Sequence, residues 1–180
     1  IERVVQKHGA VLEWKPILLG ALFRDIGTPN VPMHAMPAAK QQYVAKDLGM
    51  WSDWWGVELR WPSFFPVRTV LPLRASIVEP GATHALYRAV WVDDRDIGTP
   101  EVCAEVITEA GFDGPGVVAA TQDPAVKQQL KDNTAAAQAA GVCGVPTFEL
   151  EDGMLIWGQD RIDLLERALA GWRPSDPEAV

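Results

Sequence analysis

The stretch Gly144-Val145-Pro146-Thr147-Phe148-Glu149-Leu150-Glu151-Asp152-Gly153-Met154-Leu155-Ile156-Trp157 decides how the chain is built. Thr147–Leu150 and Met154–Trp157 are short runs of β-branched, aromatic and aliphatic residues around Glu151-Asp152-Gly153. That spacing predicts a hairpin closed by a glycine-containing turn. Pro146 opens the strand, and a strand tolerates proline at its first residue or on an edge, where no ladder donor is lost. Gln159 to Gly171 then sets Ile162, Leu165, Leu169 and Trp172 on one helical face. The chain therefore closes as strand, strand, helix.

Upstream of this unit the period is helical for about a hundred residues. Pro37 opens a helix to about Trp55, with Gly56 as its stop. Val67–Val78 follows with Pro72 inside it, then Thr83–Val92. A helix led by Thr99-Pro100 comes next, then a short one at Pro115–Ala120, then one led by Asp123-Pro124. Earlier still, Ala10-Val11-Leu12-Glu13-Trp14 reads as a strand, and Ile1 to Gly9 as the closing turns of a helix.

A lone strand at 10–14 needs a parallel neighbour, and such a neighbour arrives through a helical crossover. The helix ending at Gly9 is that crossover, so a further strand is expected before Ile1. The order β–α–β, helical block, β–β–α is an α/β thioredoxin-like fold with a large all-helical insertion and its first strand outside the given chain. Residues 1–35 and 141–172 form the discontinuous core in this reading. Residues 36–140 are the insertion and 173–180 a tail.

The 180 residues carry 24 Asp and Glu against 16 Lys and Arg, a net charge of −8. That balance speaks against a nucleic-acid partner, because phosphate binding needs a basic face. No apolar run approaches the roughly 18–20 residues of a membrane span. Two cysteines, Cys103 and Cys143, make neither a Cys-x-x-Cys pair nor a zinc spacing, and three scattered histidines show no ligand pattern, so no metal is expected. What remains is a globular protein that handles small molecules, expected in the cytoplasm.

Four features bear on chemistry. Val145-Pro146-Thr147 reads by itself as a loop-to-strand joint. In Trp157-Gly158-Gln159-Asp160-Arg161, the Asp160 carboxylate either complements a helix dipole or holds an ammonium group. Lys40, in the first turn of a helix, runs against the dipole preference and is either solvated or kept for an anion. Trp51, Trp54 and Trp55, with Trp61, Phe64 and Phe65 nearby, either pack helices together or wall an aromatic pocket.

In this order, Lys15-Pro16, the Gly27 loop, Pro37…Lys40-x-x-Tyr43…Asp47-Leu48, Gly144-Val145-Pro146-Thr147 and Trp157-Gly158-x-Asp160-Arg161 resemble the 2-hydroxychromene-2-carboxylate isomerases. Their kin are the kappa-class glutathione transferases, within the DsbA-like thioredoxin group. The resemblance implies glutathione as cofactor, a cis Pro146, a small aromatic substrate, a place in aromatic catabolism and a homodimer. It implies that Val145 pairs its main chain with the cysteinyl residue beside Pro146. Gln159 and Asp160 would hold the γ-glutamyl end and Lys40 the glycyl carboxylate, with Thr28 or Asn30 from the loop. The family's catalytic Ser falls before Ile1, so the catalytic residue is unknown. Other activities that fit the resemblance are kappa-like glutathione transfer and DsbA-like thiol–disulfide exchange; a binding module that keeps the fold without catalysis is a further alternative.

Overall fold

The computed structural model describes residues 1–175. The hairpin forms where the sequence places it. Strands β1 (Thr147–Glu149) and β2 (Leu155–Trp157) pair antiparallel, with Thr147 opposite Trp157, Phe148 opposite Ile156 and Glu149 opposite Leu155. Two further main-chain bonds extend the ladder, Gly158 N to Pro146 O at 2.9 Å and Leu150 N to Met154 O at 3.0 Å.

Nine α-helices are seen among the described residues: α1 (Glu2–Lys7), α2 (Leu19–Asp25), α3 (Ala38–Trp55), α4 (Val70–Val78), α5 (Thr83–Trp91), α6 (Pro100–Glu109), α7 (Gly114–Ala120), α8 (Pro124–Ala139) and α9 (Ile162–Leu169). Aspartates start two of them. Asp113 accepts from Gly116 N at 3.0 Å and Asp123 from Ala125 N at 2.7 Å, each satisfying a first-turn donor that the helix leaves open. Thr99 holds the corresponding position before α6, but its hydroxyl donates to Asp96 O instead. Thr83 lies inside the first turn of α5 rather than capping it. Pro72 is buried in the first turn of α4, where its missing N–H costs no helical bond.

Apolar burial divides into two clusters. Val4, Ile156, Leu165 and Ala168 join α1 and α9 to the hairpin, and Lys7 reaches Glu166 at 3.0 Å on the rim. Ala75, Ala82, Leu86, Ala89, Val90, Ile97, Cys103, Val106, Ile107 and Val117 form the second cluster, within α4–α7 and the turns between them. Between the two, α2 packs on α8, where Leu18 N donates to Thr134 Oγ1 at 3.0 Å and Asn133 donates to Pro16 O.

The strand expected at 10–14 is not formed. Residues 10–18 run as irregular chain, and Val11 is 94% exposed. A strand exists only against a hydrogen-bonded neighbour, and no described strand runs beside this segment. The helix before it, α1, does end where expected, with Gly9 just beyond it.

The other departure concerns the last helix. Gln159–Arg161 is a separate 3-10 turn and α9 begins only at Ile162. Gly158, at φ +105°, turns the chain here, and Arg161 Nη1 folds back onto Trp157 O at 2.8 Å. Among the described residues no helix is long and apolar enough to cross a membrane, and no group of three His, Cys, Asp or Glu residues is placed to hold a metal ion.

Candidate active site

The hairpin brings four of the expected residues together. Opposite Trp157, β1 begins at Thr147, so Val145 and Pro146 lie beside Gly158, and Gln159 and Asp160 follow directly. The Val145–Pro146 peptide is cis. Val145 is 47% exposed, and neither its N–H nor its C=O is hydrogen-bonded to another described residue. A main-chain donor and acceptor left open side by side can receive one extended, peptide-like segment. Thr147 steadies the approach, its hydroxyl donating to Gly144 O at 2.7 Å.

Asp160 is exposed and meets Arg161 at 3.1 Å. A pair in water is weakly bound, so the carboxylate stays open to a second cation. Gln159 is half-buried, and its Oε1 accepts from Trp55 Nε1 at 2.9 Å. That bond crosses 104 positions of sequence and ties the last residue of α3 to the turn after the hairpin. Sequence reasoning placed Trp55 only within an aromatic cluster. No local spacing signals a contact of this separation.

The other expected residues lie elsewhere on α3 or before it. Lys40 is exposed in the first turn of the helix, without an ion pair among the described residues. Fifteen residues separate it from Trp55, about 22 Å along the axis at 1.5 Å per residue. A tripeptide extends roughly 11 Å, so one anchored at Gln159 covers about half of that length. Thr28 and Asn30 sit in the loop that leads to α3. Thr28 N donates to Phe23 O at 2.8 Å, and Asn30 Oδ1 lies so close over Gly20 that a Cβ there would be 2.8 Å away.

The tryptophan-rich stretch separates into two groups rather than one pocket. Trp51 and Trp55 stack with centroids 6.5 Å apart and planes 17° apart. Trp61 instead meets Phe65 at 4.7 Å and Trp91 at 6.0 Å, while Phe64 packs against the α4–α7 core. Two shallow grooves follow α3. One, of about 340 Å³, is lined by Met33, Gln41, Gln42, Ala45 and Trp61. The other, of about 290 Å³, is lined by Asp47, Met50, Trp51 and Trp54.

Of the two cysteines, Cys143 is exposed one residue before Gly144, and Cys103 is enclosed in the α4–α7 core. Burial raises the Cys103 thiol to about 11, because nothing there compensates a thiolate for lost water.

The chain is similar to known proteins over nearly its whole length. The family described as DSBA-like thioredoxin domain matches residues 1–170. A 2-hydroxychromene-2-carboxylate isomerase of Pseudomonas sp. (strain C18) is 27% identical over 175 residues, 95% of this chain and 82% of that protein. Glutathione S-transferase kappa 1 of Homo sapiens is 29% identical over 189 residues, covering 94% and 82%. A solved 2-hydroxychromene-2-carboxylate isomerase superposes with a TM-score of 0.76 at 24% identity, over 94% of this chain and 84% of that one. With the β–β–α unit, the helices that precede it and a family match over nearly the whole length, the chain belongs to the DSBA-like thioredoxin domain family.

Proposed function

We propose that this protein is a glutathione-dependent isomerase acting on 2-hydroxychromene-2-carboxylate-like intermediates of aromatic breakdown. The observation that carries the reading is the open main chain of Val145 beside Gln159 and Asp160. These residues fit glutathione: an exposed peptide edge for the cysteinyl residue, with a side-chain amide and a carboxylate for the γ-glutamyl head. Val145 pairs with the ligand backbone, Asp160 attracts its ammonium, and Gln159 takes its α-carboxylate. Lys40, with Thr28 or Asn30, is the proposed cationic and polar partner for the glycyl carboxylate, which requires the start of α3 to move toward the hairpin, since a tripeptide anchored at Gln159 covers only about half of the distance.

Bound glutathione supplies a thiolate that adds reversibly to a conjugated substrate and so allows rotation about a carbon–carbon bond. The shallow grooves along α3 offer a flat aromatic ring apolar area to lie against. The apolar side chains that α3 and the following loop leave exposed, among them Tyr43, Met50, Val57 and Leu59, support a homodimer as the working form. Names among the relatives support the enzyme class, since isomerases and kappa glutathione transferases both match along the chain.

Titration calorimetry with reduced glutathione, followed by an assay on a 2-hydroxychromene-2-carboxylate, tests this reading. Micromolar binding and isomerisation are expected; no heat with glutathione sinks it. Kappa-type conjugation is the second reading, favoured by the 29% identity to the human transferase. Turnover of an electrophilic chloroaromatic without isomerisation selects that one.

A further inference from the structure

We propose that Trp55 is a positioning residue that fixes the Gln159 amide with its NH2 toward the ligand, so that the site selects a carboxylate at that point. This rests on the glutathione reading above. An indole N–H can only donate, so the Gln159 atom facing it is the carbonyl oxygen, and the contact at 2.9 Å settles which way the amide lies. The two amide donors then occupy the opposite branch of the plane, and neither is hydrogen-bonded to another described residue.

A free glutamine side chain offers donor or acceptor equally, because a half-turn of its last torsion exchanges them. With its oxygen engaged by Trp55, Gln159 offers donors only. Asp160, next in the chain, offers acceptors only. Donor and acceptor side by side match the carboxylate and ammonium of an α-amino-acid head, whereas a flipped amide would meet the same carboxylate oxygen to oxygen. Trp55 is itself held, stacked on Trp51 at 6.5 Å and followed by Gly56, whose left-handed backbone at φ +62° ends α3 directly after it.

The test uses W55F, which keeps an aromatic ring and removes the donor. Glutathione and an analogue with its γ-glutamyl α-carboxylate converted to the primary amide are each titrated calorimetrically into wild type and variant. Thermal melting confirms that W55F is folded. In parallel, the indole N–H resonance lost in W55F is identified in the wild type by NMR and followed in Q159A. The expected results are a three- to tenfold weaker glutathione Kd in W55F and a collapse of the wild-type preference for carboxylate over amide. The Trp55 resonance should also move in Q159A. An unchanged preference in W55F, or an unmoved resonance in Q159A, overturns the proposal alone. Absence of glutathione binding by the wild type overturns the functional reading and this proposal together.

Discussion

Gly144 lies directly beneath the indole of Trp157: a Cβ at position 144 would sit 2.7 Å from Nε1 and 2.8 Å from Cε2. The ring covers the segment leading into Val145–Pro146, and only a residue without a side chain lets it approach so closely. An indole is rigid and cannot yield by bending. Gly144→Ala is therefore expected to displace Trp157 and lower stability by about 1–3 kcal/mol, the usual cost of forcing extra atoms into a packed contact. Urea melts check the stability. Glutathione titration of the same variant checks that the Val145 edge moves with the ring.

A second close approach lies inside the insertion. A Cβ on Gly114 would come within 2.0 Å of Ala104 O, where α7 starts against α6. Here the neighbour is backbone, which cannot turn aside. Gly114→Ala should cost about 3 kcal/mol or more and separate the two helices, beyond the range of ordinary overpacking. A fall in midpoint larger than that of Gly144→Ala is the expected order, and the reverse order would contradict it.

The two thiols should differ sharply in chemistry. Cys143 is exposed, whereas Cys103 is enclosed and its thiol is raised to about 11. At pH 7.5 a disulfide reagent is expected to modify one thiol per chain quickly and the second only after unfolding. Peptide mapping should place the fast label on Cys143. Rapid loss of both thiols in the folded protein would show that the α4–α7 core opens readily.

Acid should weaken the fold through paired carboxylates. Glu109 is held below its usual range by its hydrogen bond with Arg95, and Asp152 by its hydrogen bond with Arg173. Both bind a proton less readily folded than unfolded. Their contribution is thus complete above the ordinary carboxylate range, near pH 4, and is lost as pH falls through the lowered folded values. The melting temperature should drop between pH 5 and pH 3. Arg95→Met should show a shallower drop, because Glu109 then titrates alike in both states.

Substitutions in the proposed ligand-binding set separate its two ends. Asp160→Asn removes the charge facing an ammonium, and Lys40→Ala the charge facing a carboxylate. Each should weaken glutathione binding about tenfold, on the scale of one charge-assisted hydrogen bond. Added salt should weaken the wild type as well, since both groups are exposed. If Lys40→Ala binds as wild type while Asp160→Asn does not, the ligand lies wholly at the hairpin end.

Most of the secondary structure was legible in the sequence because its signals are local. Pro at the start of helices, Asp123 as a cap, and the turn at Gly153 need only neighbouring residues to take effect. The strand expected at 10–14 failed for the opposite reason. Strand-forming residues there have no described partner, and pairing is a property of two segments. The site shows the same division. Val145, Pro146, Gln159 and Asp160 could be grouped because the hairpin register is short-range. Trp55, which arrives from α3 across 104 positions, could not. Sequence proximity also leaves the aromatic cluster open between helix packing and a pocket wall, since it hides that Trp61 turns toward Trp91 while Trp51 stacks on Trp55.

α3 runs for 18 residues without burying one of them. Its shape is kept by its own hydrogen bonds and its position by its ends, where Gln41 reaches back to Met36 O and Trp55 reaches Gln159. Neither apolar cluster depends on it, so its outward residues are under little obligation to the fold. Substitutions there can be exchanged and selected for what they meet rather than for what they hold up. Within one unchanged scaffold, α3 is the part of this protein on which a new preference could be written at the smallest cost in folding.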